Sequence, residues 1–354
     1  MKVAILGLPK SGKSTVFAAA TGIAVDPFAP PQVHQAVVRV PDRRLDYLAR
    51  LHNPKKVTEA AIEVIDLPGH SLHDPKGRED WRKQLPNVRQ TDVLVVVVRD
   101  FENPTVPAYR DRIDAQADFE TVWEEMMFSD LETVTTRVDR LEKSLKKPSP
   151  THDQEKHELG LMTRCQEALE AEKPLSTVVH ADSDRRIVSS FGFLSEKPLI
   201  CLRNVSDDRV ASAEPLNAVH AADSLVLSAS IEAEIARLDP TDRAAFLADL
   251  GVQAAARDRL IQTCYRALGL ISFLTGGPEE VRAWTISKGT TAFEAAGKIH
   301  TDFAKGFIRA ETVSYDDLVA HHDMKGARAA GKVRKEGKTY VVADGDILNI
   351  LASA

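Results

Sequence analysis

Cysteine is scarce in this chain. Cys165, Cys201 and Cys264 are its three cysteines, set far apart, with neither metal-ligand spacing nor a paired framework. That argues against a disulfide-stapled scaffold and suits a reducing cytoplasm, the expected location. Long apolar runs are missing too. The longest, Val93 to Val98, is a short central strand, far below a membrane span, so no membrane partner is expected. The amino terminus enters a strand directly, without a charged leader and cleavage site. Positive charge is not in excess either. The formal net charge is -6, so any nucleic-acid contact must come from a local patch, and DNA is not an expected partner. What remains is 43% hydrophobic and 28% charged residues over 354 positions, enough for a sizeable core and for two or three domains.

The first stretch organises the rest. Val3 to Leu6 reads as a buried strand, and Gly7 to Ser14 fits G-x-x-x-x-G-K-[ST], the phosphate-binding loop. The glycines let the backbone wrap an anion, so that amide N–H groups of Pro9-Lys10-Ser11-Gly12-Lys13-Ser14-Thr15, proline excepted, point at phosphates. Lys13 reaches the outer phosphates, and Ser14 offers its hydroxyl to magnesium. Val16 to Ala20 continues as the helix whose positive end faces the anion.

Further apolar runs at Ile62–Ile65 (interrupted by Glu63), Val93–Val98, Leu199–Leu202 and Leu225–Leu227 are mostly continuous rather than alternating. Such runs predict strands buried on both faces, as in a parallel sheet between helices. Asp26 to Gln35 is proline-rich and reads either as a segment that approaches the γ-phosphate or as an ordinary loop. Asp66-Leu67-Pro68-Gly69 ends the second run. Its spacing suits an aspartate holding magnesium through water and a glycine amide facing the γ-phosphate. His70 follows, placed either to orient an attacking water or as a solvated loop histidine. Ser71 to Pro86 is charged and reads as a second mobile loop.

Trp123, Met127, Leu131, Val134, Val138, Leu141 and Leu145 follow a helical three-four spacing, and Leu159, Met162, Cys165 and Leu169 repeat it after Pro148-Ser149-Pro150. This predicts an antiparallel helical hairpin, with the stripe either as its seam or as a partner-binding face. Asp182 to Leu194 and Ile231 to Leu268 read as helical. Between them, Asn204-Val205-Ser206-Asp207 ends one run and Ser228-Ala229 the next. Asn204 and Asp207 are candidates for reading a purine base, with Val205, Ser228 and Ala229 beside them. After Gly276 the pattern predicts a small α+β domain with strands at 281–286, 307–310, 339–342 and 347–351 and a helix over 291–300. Lys325, Arg328, Lys332, Arg334, Lys335 and Lys338 cluster there, either as a phosphate-contacting patch or as a solvated basic face.

Together these stretches resemble the Obg-like ATPases, the YchF group of P-loop NTPases. The resemblance rests on Gly7 to Thr15, Val40 to Leu45, Pro54 to Lys56, Asp130-Leu-Glu132 and Glu232-Ala-Glu234. Its most specific stretches are Leu268 to Gly276, Val281 to Thr285, Ala295 to Phe303, Lys305 to Glu311 and Asp344-Gly-Asp346. It implies an α/β P-loop NTPase G domain with a parallel-type sheet over 1–114 and 196–275. It further implies an inserted α-helical coiled-coil hairpin over 115–195 and a carboxyl-terminal α+β ubiquitin-like (β-grasp, TGS) domain over 276–354. It also implies hydrolysis of ATP or GTP with magnesium, and association with ribosomes or RNA.

Four departures bear on function. Lys10 stands where the family usually has asparagine, which in related NTPases helps hold potassium; the Lys10 ammonium is expected to replace part of that charge. His70 stands where the family has a hydrophobic residue, and resembles the histidine of elongation factor Tu. Pro30-Pro31 replaces a loop threonine, which points to altered loop closure or slow hydrolysis. Asp207 stands where glutamate is common and Val205 where related motifs have lysine; the aspartate leans toward guanine, the missing lysine and the family toward ATP. The leading expectation is a nucleotide switch with Lys13, Gly69 and His70 as catalytic residues and Ser14 and Asp66 at the metal. The alternatives are a nucleotide-gated binder with negligible turnover and an RNA-binding scaffold with a structural nucleotide site.

Overall fold

The computed structural model describes residues 1–26, 29–30, 32–147, 150–236, 238–239 and 256–353. Its strands are β1 Lys2–Leu6, β2 His34–Arg39, β3 Lys56–Thr58, β4 Ala61–Asp66, β5 Val93–Asp100, β6 Leu199–Val205, β7 Asp223–Leu227, β8 Leu270–Gly276, β9 Glu280–Ser287, β10 Phe307–Ser314, β11 Arg334–Glu336 and β12 Asp346–Ala352. The helices are α1 Lys13–Thr21, α2 Arg43–His52, α3 Pro75–Arg89, α4 Ala115–Ser144, α5 His152–Glu170, α6 Asp182–Val188, α7 Ala229–Ile235, α8 Ala256–Ala267, α9 Ala292–Ile299, α10 Thr301–Lys305, α11 Tyr315–Ala320 and α12 Met324–Ala329. The chain divides into two compact units, residues 1–36 with 63–263 and residues 37–62 with 264–354.

One sheet runs β2-β4-β1-β5-β6-β7. β1 lies parallel to β4 on one side and to β5 on the other, and β6 lies parallel to both β5 and β7. Val93 to Val98 are each at most 1% exposed, the continuous burial that a strand covered on both faces requires. From β1 the chain leads first to β4 and later to β5, so a crevice opens at the carboxyl ends, where such sheets bind ligands.

The inserted hairpin is α4 and α5. Asp114 caps α4 by accepting from the Ala117 amide at 3.0 Å. Trp123, Met127, Val134 and Leu141 share one core with Met162, Cys165 and Leu169, with Leu131, Val138 and Leu159 packed against it. The seam therefore lies where the spacing places it. Arg137 adds a two-pronged bond to Glu158, at 2.7 and 2.8 Å. Pro148 and Ser149 of the connection lie outside the described residues.

Two expectations in this unit are corrected. Ser71 to Pro86 is not a loop throughout, because α3 begins at Pro75 and contains Pro86. Asp74 caps it through the Gly77 amide at 2.8 Å, proline at the first position costs no bond, and Trp81 and Val88 bury its inner face. The helix expected over 182–194 stops at Val188. Beyond it the amides of Leu194 and Ser195 bond the buried Asp130 carboxylate, at 3.0 and 2.8 Å, instead of continuing a helical ladder. Of the helical stretch expected over 231–268, residues 240–255 lie outside the described residues.

The second unit carries a sheet ordered β11-β10-β12-β8-β9-β3. β8 and β9 form a hairpin, β12 runs parallel to β8, and β10 is antiparallel to β12, a β-grasp arrangement. Helix α9 starts with a complete capping box between Thr291 and Glu294. Residues 37–62 belong here rather than with 1–114 as expected. Leu45 and Leu48 of α2 share a core with Leu274, Val281 and Val313, and β3 adds to the sheet beside β9. The strand expected at 339–342 is only a bridge between Thr291 and Val341, because Asp346 accepts from Tyr340 Oη and the Ala343 amide and turns the chain there. The strand in this stretch is β11, paired with β10. Among the described residues no helix is long and apolar enough to cross a membrane.

Candidate functional site

The turn after β1 wraps a concavity because its backbone takes conformations that side chains resist. Gly7 and Gly12 have φ of 144° and 93°. A β-carbon on Gly7 would lie 2.3 Å from the Val97 carbonyl oxygen, and one on Gly12 would lie 2.2 Å from Asn204 Nδ2, so both glycines are sterically required. Lys10 takes a left-handed φ of 63°, which leaves its exposed side chain at the rim. Helix α1 starts immediately after Gly12, its amino end toward the cavity.

The cavity at this point measures about 870 Å³. Pro9, Lys10, Gly12, Lys13, Ser14, Thr15, Asp66, Gly69, Asn204, Val205, Asp207 and Ala229 all line it, so the structure brings together most residues singled out from sequence. Ser11 and Ser228, both buried, support it from behind. His70 does not line it. Its Nε2 is buried without a partner among the described residues, and burial holds its imidazole below the ordinary range, with Asp80 opposing and Lys13 and Lys83 reinforcing that shift. Phe28 and Pro31 of the loop between α1 and β2 lie outside the described residues; Asp26, Ala29, Pro30 and Gln32 line the cavity.

Lys13 is 6% exposed and donates to the Leu8 carbonyl at 2.9 Å. Burial lowers its ammonium to about 8, against the pull of nearby Asp66. Among the described residues a carbonyl and one carboxylate balance that buried charge, so an anionic phosphate would stabilise it. Asp66 ends β4 and is 2% exposed. Burial raises its carboxyl, opposed by the Ser14 hydroxyl, Lys13 and His34. Among the described residues its Oδ1 has no hydrogen-bond partner, while His34 Nδ1 stands 3.5 Å from Oδ2. A hydroxyl beside a buried carboxylate with an open oxygen is an oxygen donor set suited to magnesium, so the residues present fit that ion.

At the other end, Asn204 acts as a brace. Its Nδ2 donates to the Ser11 carbonyl at 3.1 Å and its Oδ1 accepts from the Ala229 amide at 3.0 Å, so the phosphate loop and the start of α7 are tied through one side chain. Each end keeps a second site, one Nδ2 hydrogen and one Oδ1 lone pair, while the Ala229 amide is used within the protein. Asp207 is an exposed group of this end, and its Oδ1 accepts from the hydroxyls of both Ser228 and Ser230.

Sequence reading missed two residues. His34, on β2, was hidden in a presumed loop. Arg99 is 4% exposed and hydrogen-bonds the carbonyls of Phe101, Val106, Pro107 and Lys10, at 3.0, 2.8, 3.3 and 3.4 Å, while stacking on Phe101 at 4.5 Å. It fastens the phosphate loop to the 101–107 segment, part of which walls the cavity. A charge directly ending the run Val93 to Val98, followed by Asp100, was the available signal. Three of the six residues of the basic cluster, by contrast, are paired in place. Arg328 pairs with Glu311 at 3.0 Å, Lys332 with Asp317 at 3.2 Å, and Arg334 with Glu336 and Asp346 at 3.6 and 3.7 Å.

Comparison with known proteins points the same way as this geometry. Residues 2–128 match the 50S ribosome-binding GTPase family, and residues 270–353 match the YchF-GTPase C-terminal family, described as a protein of unknown function. The chain is 39% identical to a Bacillus subtilis protein named ribosome-binding ATPase YchF, over 98% of this chain and 97% of that one. It is 35% identical to Obg-like ATPase 1 of Oryza sativa, over 98% and 91% of the two chains. The structure of the Schizosaccharomyces pombe YchF GTPase superposes with a TM-score of 0.80 at 28% identity, covering 99% of this chain and 97% of that one. With a phosphate loop, an Asp-x-x-Gly turn, a helical insertion and a β-grasp unit in this order, the chain belongs to the YchF/Obg-like ATPase family.

Proposed function

We propose that the chain is a nucleotide-dependent switch. It binds a purine nucleoside triphosphate with magnesium, ATP in preference to GTP, hydrolyses it to the diphosphate and phosphate, and associates with ribosomes according to the nucleotide held. The observation that carries this is the meeting of Lys13, Ser14, Asp66 and Gly69 in one cavity at the carboxyl ends of β1 and β4. Lys13 and the loop amides hold the phosphates. Ser14 and Asp66, the latter through water, would hold magnesium, which supplies charge neutralisation on the phosphate oxygens. The Gly69 amide meets the γ-phosphate. Catalysis here is positioning and charge stabilisation of an in-line water attack. For His70 to orient that water, the turn carrying it must close on the nucleotide. Potassium is not part of this scheme, because Lys10 stands at the rim. Relatives named ribosome-binding ATPases support the partner and the preference for ATP.

Helix α3, which begins five residues after His70, is the route from nucleotide to hairpin. Trp81 Nε1 bonds Ser129 Oγ at 3.2 Å, Arg82 pairs with Glu132 at 2.7 Å, and Arg89 bonds Thr133 Oγ1 at 2.6 Å. Movement of the Asp66–His70 turn would therefore reach α4, giving the two nucleotide states different surfaces for a partner. A second reading, nucleotide-gated binding with negligible turnover, is favoured by the position of His70 outside the cavity lining. Single-turnover hydrolysis of ATP and GTP, with and without ribosomes, separates the two. Phosphate release in either condition supports the switch; tight binding without release in both supports the second reading.

A further inference from the structure

The Asp207 carboxylate is already half used. An ionised carboxylate oxygen offers two acceptor sites. Oδ1 takes the hydroxyl hydrogens of Ser228 and Ser230 and is thereby filled. Ser228 is fixed in this role: it is 1% exposed and caps α7 by accepting from the Ile231 amide at 3.4 Å. Ser230 is exposed, on the first turn of α7, and lines the nucleotide cavity beside Asp207. Oδ2 carries no hydrogen bond among the described residues.

Guanine presents its ring N1–H and its 2-amino group side by side, and a carboxylate recognises that pair by accepting one bond on each oxygen. With Oδ1 filled, one of the two donors goes unmatched. Adenine presents a single amino N–H next to an acceptor ring nitrogen. The open Oδ2 suffices to accept that one amino hydrogen, so adenine leaves no donor unmatched here. We propose that Ser230 is a specificity-determining residue: its hydroxyl occupies the Asp207 oxygen that guanine needs, and so removes the guanine preference that an aspartate here would otherwise confer. This rests on the reading of the cavity as a purine nucleotide site and names what sets its choice of base.

The test compares equilibrium binding of ATP, GTP and ITP to the full-length protein with magnesium. ITP keeps the N1–H of GTP and lacks the 2-amino group. The wild-type protein is expected to bind GTP and ITP within about threefold of each other, because the second donor finds no acceptor. In Ser230→Ala one site on Oδ1 is released, and GTP should gain about fivefold or more over ITP and over ATP. Ser230→Thr keeps the hydroxyl and should behave as wild type, which separates the hydroxyl from any effect on helix packing. A wild-type preference for GTP over ITP above about threefold would overturn the proposal, as would an unchanged GTP-to-ITP ratio in Ser230→Ala. Failure of the wild-type protein to bind any of the three would instead overturn the nucleotide-site reading, and this proposal with it.

Discussion

Gly69 and Lys13 leave no space between them: a β-carbon built on Gly69 would lie 2.5 Å from Lys13 Nζ and 3.0 Å from Pro9 Cα. The lysine end can shift, but the Pro9 backbone cannot, so a side chain at 69 must displace the ammonium from its place over the loop. Gly69→Ala is expected to fold normally and to lose about tenfold or more in single-turnover hydrolysis, with a smaller loss in nucleotide affinity. Rapid-quench measurement on the variant checks this; an unchanged rate would mean that Lys13 reaches the phosphates from another position.

His70 gives hydrolysis a defined response to pH. Its imidazole is held below its ordinary value of 6.5, chiefly by burial, so at neutral pH it is uncharged and keeps an acceptor nitrogen. If it orients water, the rate should be level from pH 8 to 6.5 and fall only in more acid solution, as protonation removes the acceptor. His70→Gln should lower the rate and flatten the profile. The unfolded chain takes up this proton at higher pH than the folded one, so the same group stabilises the fold above 6.5 and that contribution is lost as pH falls through its folded value.

Arg99 should matter to both stability and affinity. Arg99→Ala leaves several carbonyls without their donor in a buried setting, at a cost of about 3 kcal/mol. Arg99→Lys should not restore them, because a point ammonium lacks the planar fork that reaches Phe101, Val106 and Lys10 together. Urea unfolding and nucleotide titration of both variants test this. Equal behaviour of lysine and arginine would show that charge alone suffices.

Lys10, held at φ 63° with its side chain exposed at the rim, predicts turnover that is alike in potassium and sodium buffers. Lys10→Asn should acquire a potassium requirement while tolerating the left-handed backbone, which asparagine adopts readily. A large potassium dependence in the wild-type protein would reject the substitution of ammonium for ion.

Asp130 is a structural prediction, away from the nucleotide. Its carboxylate is 0% exposed and takes the amides of Leu194 and Ser195 and the Ser195 hydroxyl, fastening α4 to the segment that leads into β6. Asp130→Ala strands three buried donors and should destabilise the first unit by about 3 kcal/mol or more, while nucleotide affinity changes little. Denaturant unfolding followed by tryptophan emission reads the loss.

Local patterns carried much of this protein into view. Gly7 to Ser14, Asp66 to Gly69 and the stripe from Trp123 to Leu141 were legible because each depends on spacing along the chain: a turn that only glycine permits, an acid at a strand end, a helical period. The family resemblance added the β-grasp unit. What escaped was set by partners distant in sequence. Residues 43–58 fold with the carboxyl-terminal sheet because Leu45 and Leu48 find Val281 and Val313, a pairing no local period announces. Asn204 is also a brace, a role its residue type did not announce, because its two amide ends meet Ser11 and Ala229. Asp207 argued for guanine as a residue type, and its environment argues otherwise, because two serines 21 and 23 positions away fill one of its oxygens. The sequence alone determined that a phosphate-binding turn and an acid at a strand end exist in this chain. Tertiary structure decided which of their polar atoms remain free for a ligand, since hydrogen-bonding capacity is consumed by whatever neighbour the fold delivers.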